Sequence, residues 1–207
     1  MLVIGKNSKV YSLIKDKISD HISCSHKDDI EMLIKNNSIK KVLVLSNSPR
    51  LDENIKLIKL LYLNNVEICY VSTSAAKYSS CQIYAYPRNK RVAEQVIYQY
   101  FSRFLIIRCG LIEGLHDHSK IHGRVPVTAL NDLCQNINKF ILEDLYGTLD
   151  LFRFVNLSST ALNLFFFKCY GFINNFPLFI SRPCDYILRL FKYHNYGYLY
   201  RQGNEDL

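Results

Sequence analysis

The feature of this 207-residue chain that most limits its fold is an alternation. Short runs that are apolar from end to end are separated by longer runs whose apolar residues recur at helical spacing. LVIG (2–5), KVLVLS (41–46), EICYVS (67–72) and FLIIRCG (104–110) are of the first kind, and HISCS (21–25) is a weaker example. A strand that is apolar on both faces must be covered on both faces, so these runs predict the buried strands of a parallel sheet. Segments 8–18, 28–34, 52–63 and 87–102 predict the intervening helices. Asp28 is the expected N-cap of the second helix, and Pro87 the expected first-turn residue of the fourth. The β-α-β-α order across the first 110 residues is the doubly wound pattern.

Beyond residue 114 the alternation loosens. Segment 125–130 predicts a strand, and 131–144 a helix with Leu133, Ile137, Phe140 and Ile141 on one side. Segment 151–158 predicts one more strand, and 160–172 a further helix. The fold class that follows is α/β. A Rossmann-like doubly wound parallel sheet occupies 1–158, and a small α-rich, aromatic lobe occupies 159–207. Lys168, Arg182, Arg189, Lys192 and Arg201 punctuate that aromatic tail. It is expected to serve as core or dimer surface, with a peripheral membrane contact as the other use. Lys168, Asn174 and Asn175 interrupt the longest apolar stretch, 161–181, so no membrane-spanning run of about 20 residues is expected.

A net charge of +8, spread over the whole chain, gives a solvated surface that tolerates anionic ligands such as nucleotide phosphates. No basic stripe or base-reading motif points to nucleic acid. The seven cysteines include no C-x-x-C pair, and Cys69, Cys109 and Cys169 lie in apolar runs. Reduced thiols and a cytoplasmic protein are expected. The opening MLVIGKNSK begins directly on a strand and predicts no signal peptide. His116, His118 and His122 are read as part of a polar loop, since a metal site needs converging geometry and a fourth ligand.

In a doubly wound sheet, ligands gather at the carboxyl ends of the strands. Three such ends here are polar: Gly5-Lys6-Asn7-Ser8, Ser46-Asn47-Ser48 and Ser72-Thr73-Ser74. Tyr86 and Lys90 follow on the fourth predicted helix, one turn apart on one face. An ammonium beside a phenol favours the phenolate, which equips such a tyrosine to exchange a proton near neutral pH. A hydroxyl at Thr73 or Ser74 can hold the same reacting oxygen by a hydrogen bond.

Taken in order, LVIGKNS, KVLVLSNS, CYVSTSA, YPRNKRVAEQ, LIIRCGLIEG and VPVTALNDLCQNI resemble successive pieces of the extended short-chain dehydrogenases/reductases, the NAD-dependent epimerase/dehydratase family. The resemblance spans roughly residues 1–145. It implies a Tyr86 general acid/base, with Lys90 holding the nicotinamide ribose and tuning Tyr86. It implies a carbonyl-polarising hydroxyl at Thr73 or Ser74, and a structural or substrate-edge role for Arg108. The implied cofactor contacts are Gly5, Asn7, Ser8, Ser25, Lys27, Ser46 and Lys90. The implied activity is an NAD(P)-dependent reductase or epimerase of a sugar nucleotide, set in bacterial surface-polysaccharide assembly. A homodimer through helices 52–63 and 87–102 is also implied.

Two departures qualify the resemblance. Of the family's G-x-x-G-x-x-G loop only Gly5 remains, with Ser8 and Tyr11 at the other two glycine positions. The second strand ends in Cys24-Ser25-His26-Lys27, where a serine and a lysine suit the extra phosphate of NADP better than the ribose of NAD. The rival reading is a non-catalytic binding or regulatory module of this fold that has lost its cofactor. A Tyr11 side chain blocking the cleft would favour that module.

Overall fold

Six parallel strands form the main sheet in the spatial order β2 (Ile22–Cys24), β1 (Leu2–Ile4), β3 (Lys41–Val44), β4 (Glu67–Thr73), β5 (Phe104–Cys109) and β8 (Gly147–Leu151). This is a computed structural model, and it describes residues 1–45, 48–77, 85–115 and 123–157, with single or paired positions between 165 and 187. The helices are α1 (Lys9–Ile14), α2 (Ile30–Asn36), α3 (Leu51–Leu63), α4 (Ser74–Lys77), α5 (Ala85–Tyr100) and α6 (Leu130–Glu143).

Strand alternation divides the core in two. Leu2, Ile4, Val42, Val44, Ile68 and Tyr70 face one side and pack on α2, α3 and α5. Val3, Leu43, Cys69, Val71, Leu105 and Ile107 face the other and pack on α1 and α6. Both faces are covered, as the uniformly apolar strands require. The chain steps from β1 out to β2, then back across β1 to β3. The connections leaving β1 and β3 therefore diverge, and a crevice opens at their carboxyl ends.

A second, three-stranded sheet has the order β6 (Leu111–Ile112), β7 (Gly123–Thr128), β9 (Arg153–Leu157), with β7 and β9 antiparallel. Segment 151–158, expected as one strand, thus holds the end of β8 and all of β9. Thr128 joins the two sheets: its hydroxyl accepts from the Gly110 N–H (2.8 Å) and donates to the Leu151 carbonyl. Gly110 allows the close approach, since a Cβ there would stand 2.3 Å from the Pro126 oxygen.

Three local expectations are corrected. The N-cap of α2 is Asp29, whose carboxylate accepts from the Met32 N–H (2.9 Å). Asp28 instead accepts from the Ser25 N–H (2.8 Å) and from Lys6 (3.1 Å), which draws it away from the helix. α1 stops at Ile14 rather than Ile18, and α5 begins at Ala85, two residues before Pro87.

The expected 116–122 loop with its three histidines, Ser46, and nearly all of the 160–172 helix and aromatic tail lie outside the described residues. Among the described residues the cysteines are free thiols, and no helix is long and apolar enough to cross a membrane.

Candidate active site

The turn after β1 is built on Gly5, whose φ of +118° suits a residue without a side chain. The Gly5 and Lys6 N–H groups both donate to the Cys24 carbonyl (2.8 and 3.0 Å), so this turn is stitched to the end of β2. Ser8 caps α1, its hydroxyl accepting from the Tyr11 N–H (3.1 Å). No partner among the described residues takes the N–H groups of Asn7, Lys9 and Val10. The Tyr11 ring packs on the core beneath α1. Its hydroxyl pairs with His21 Nε2 (3.0 Å), immediately before β2 at the amino end of the sheet. Tyr11 therefore occupies the third glycine position without turning into the crevice.

Two buried asparagines that the sequence reading missed fix the connection after β3. Asn54 accepts from the Ser48 N–H (2.8 Å) and donates to the carbonyls of Ser48 (2.8 Å) and Arg50 (3.0 Å). Asn89 of α5 donates to the Pro49 carbonyl (3.2 Å). The start of α5 is thereby held against the loop at the switch point. An asparagine three residues inside a predicted helix was the available signal for Asn54.

On α5, Tyr86 is 53% exposed and Lys90 only 2%. Lys90 Nζ donates to the Val71 carbonyl of β4 (2.7 Å) and lies 4.3 Å from the Tyr70 ring centre and 5.9 Å from that of Tyr86. Burial pulls the Lys90 ammonium down to about 7, with Cys109 and Glu94 opposing the fall. Thr73 ends β4 half-buried and accepts from the Ala75 N–H (3.3 Å), whereas Ser74 is fully enclosed at the start of α4.

Below these residues lies an ion-pair chain that runs from the buried Glu94 out to the exposed Lys77. Glu94 receives Ser72 (2.5 Å) and a two-pronged Arg108 (2.7 and 3.2 Å). Arg108 also reaches Asp150 of β8 (3.4 Å), which accepts from Lys77 (2.7 Å). The Arg108 guanidinium is thus engaged by two carboxylates.

The sequence matches no family model and no curated protein. The structure does have solved counterparts. The dTDP-4-dehydrorhamnose reductase of Clostridium acetobutylicum matches with a TM-score of 0.62 at 14% identity, over 81% of this chain and 80% of that one. The Bacillus anthracis dTDP-4-dehydrorhamnose reductase, solved with NADP, gives 0.62 at 14% identity over 81% of each chain. The Thermus thermophilus UDP-glucose 4-epimerase, solved with NAD, gives 0.60 at 10% identity over 75% of this chain and 79% of that one. The fold is that of the extended short-chain dehydrogenases/reductases.

Within this fold, Thr73 and Ser74 lie at the carboxyl end of β4, and Lys90, 5.9 Å from the Tyr86 ring centre, is bonded to Val71 of the same strand. Gly5, Asn7 and Ser8 lie at the same edge, after β1. Ser25 and Lys27 follow β2, beside a groove of about 460 Å³ lined by His26, Asp28, Asp29, Glu53 and Lys56. Burial pulls the His26 imidazole below its ordinary range; Glu53 opposes this, and the Lys90 ammonium adds to it. The fit to a dinucleotide rests on the Gly5 turn, the unpartnered N–H groups beside it and a Tyr11 ring turned aside.

Proposed function

We propose that this protein is an NAD(P)-dependent reductase or epimerase of a sugar nucleotide, working in surface-polysaccharide assembly. The observation that carries the reading is the placing of Tyr86, Lys90 and Thr73 beside the carboxyl end of β4, on the same edge of the sheet as the Gly5 turn and separated from it by β3. The solved counterparts named for such reactions, one with NADP and one with NAD, support the substrate and cofactor class.

Gly5, Asn7 and Ser8 would hold the pyrophosphate of the cofactor, and Ser25 and Lys27 its adenosine side. When bound, the nicotinamide supplies or accepts a hydride. Tyr86 moves the proton: its hydroxyl donates to a substrate carbonyl oxygen in reduction and takes the proton back in oxidation. Below its midpoint of about 7, Lys90 stands behind that ring as a cation and favours the phenolate left by proton transfer. Thr73 holds the same substrate oxygen, because its position is the more accessible of the two candidate hydroxyls.

One observation favours the non-catalytic module. The Gly5 and Lys6 N–H groups are already spent on Cys24. Calorimetric titration with NAD and with NADP separates the two readings. Saturable binding of either supports the enzyme, and failure to bind both at millimolar concentration removes it.

A further inference from the structure

Glu94 is a buried acid to which the proposed chemistry assigns no task. It lies one helical turn beyond Lys90 and two beyond Tyr86, and is 2% exposed. Its carboxylate receives Ser72 of β4 (2.5 Å) and Arg108 of β5 (2.7 Å). Arg108 continues to Asp150 (3.4 Å), and Asp150 accepts from Lys77 (2.7 Å) at the end of α4. This chain begins on the helix that carries Tyr86 and Lys90 and ends one turn after Thr73 and Ser74. It spans both halves of the proposed catalytic set.

We propose that Glu94 is a positioning residue acting through Lys90: it fixes α5 against the end of β4 and supplies the buried negative charge that faces the Lys90 ammonium. The catalytic consequence rests on the proposed function, while the effect on Lys90 does not. Lys90 touches Tyr70 and the Val71 carbonyl of β4 and faces the Tyr86 ring; Cys109 of β5 and Glu94 of α5 act on its charge, Arg108 of β5 is paired with Glu94, and the Lys90 charge in turn acts on His26 after β2. Burial holds Tyr70 in its neutral form and pushes the Cys109 thiol up to about 12, so neither is an anion at neutral pH. Burial likewise keeps His26 below its ordinary range. Glu94 is then the carboxylate of this set, and Arg108 holds it in place.

The test is an NMR titration of Lys90 in cofactor-free protein carrying labelled lysine side chains. Glu94→Gln keeps the shape and an oxygen for Ser72 and Arg108 but removes the charge. The Lys90 midpoint, near 7 in the parent, is expected to fall by about one pH unit or more in the variant. If the reaction needs the ammonium, the alkaline limb of the pH–rate profile moves to lower pH with it. Ser72→Ala loosens the contact without removing charge and leaves the midpoint in place. A folded Glu94→Gln protein with an unmoved midpoint overturns the proposal. Should that variant not fold, Arg108→Gln is compared with Arg108→Gln/Glu94→Gln: both lack the guanidinium, so a lower midpoint in the double variant reports the Glu94 charge alone, and equal midpoints overturn the proposal. A shifted midpoint in a protein that turns over no substrate upholds Glu94 and removes the catalytic reading instead.

Discussion

Lys90 holds its ammonium 4.3 Å from the centre of the Tyr70 ring, on a side chain sealed from water. The ring face attracts the cation, but burial outweighs that attraction and brings the Lys90 midpoint to about 7 from an ordinary 10.5. Between those values the unfolded chain keeps its proton while the folded amine has lost it. The unfolded state then binds more protons, so stability rises with pH across this window. Lys90→Met has nothing to titrate. Its stability advantage over the parent is greatest below pH 7 and shrinks by about 1.4 kcal/mol for each pH unit above it. Urea unfolding of both proteins at about pH 6.5 and about pH 8.5 measures this, and a constant difference would contradict it.

Tyr86 shows the reverse pattern, with more than half of its surface in solvent. Its hydroxyl is expected to matter for turnover and little for folding. Tyr86→Phe should lower kcat by about 10²- to 10⁴-fold while unfolding free energy stays within about 0.5 kcal/mol of the parent. At the end of β4, Thr73→Val should lower kcat by more than Ser74→Ala, because Ser74 is fully enclosed. Steady-state rates and urea midpoints for the three variants separate these roles. A Ser74→Ala protein that is slower yet equally stable would move the assignment to Ser74.

The main sheet was legible because burial on both faces leaves an apolar signature that needs no partner to be recognised. LVIG, KVLVLS, EICYVS and FLIIRCG became β1, β3, β4 and β5. β8 was missed for the complementary reason. At the edge of the sheet, Gly147–Leu151 has an alternating burial pattern, and a glycine and an aspartate interrupt its apolar residues. The small sheet was hidden because β9 returns antiparallel to β7 across residues distant in sequence. At the site, Tyr86 and Lys90 were visible through helical spacing. The linkage Ser72–Glu94–Arg108–Asp150–Lys77 was not, because it joins β4, α5, β5, β8 and α4, and no local pattern records such a path.

That linkage predicts an asymmetry between single and paired changes. Arg108→Met strands the Glu94 carboxylate in a site that is 2% exposed, and should destabilise the fold by about 3–5 kcal/mol. Adding Glu94→Leu removes the stranded charge, so the double variant should regain most of that loss. Denaturant midpoints around the double-mutant cycle give the coupling directly. An Arg108→Met protein within about 0.5 kcal/mol of the parent would mean that another cation, such as Lys77, can reorganise to serve Glu94.

The glycine loop supplies the remaining test, because its two departures from the family pattern have different structural outcomes. Ser8 is turned into its own helix as a cap, and Tyr11 is held by His21 at the amino end of the sheet. Tyr11→Gly, which restores the family residue, should therefore leave cofactor affinity within about threefold of the parent. It should also weaken the fold by about 1–3 kcal/mol, through a glycine in the first turn of α1 and the lost ring contact with His21. Gly5→Ala acts on the turn itself. An alanine is strained at a φ of +118°, so the variant should lose about 1–2 kcal/mol of stability and bind cofactor more weakly. Calorimetric binding and urea unfolding on the two variants distinguish the cases. A gain of tenfold or more in affinity for Tyr11→Gly would show that the ring stands in the path of the pyrophosphate.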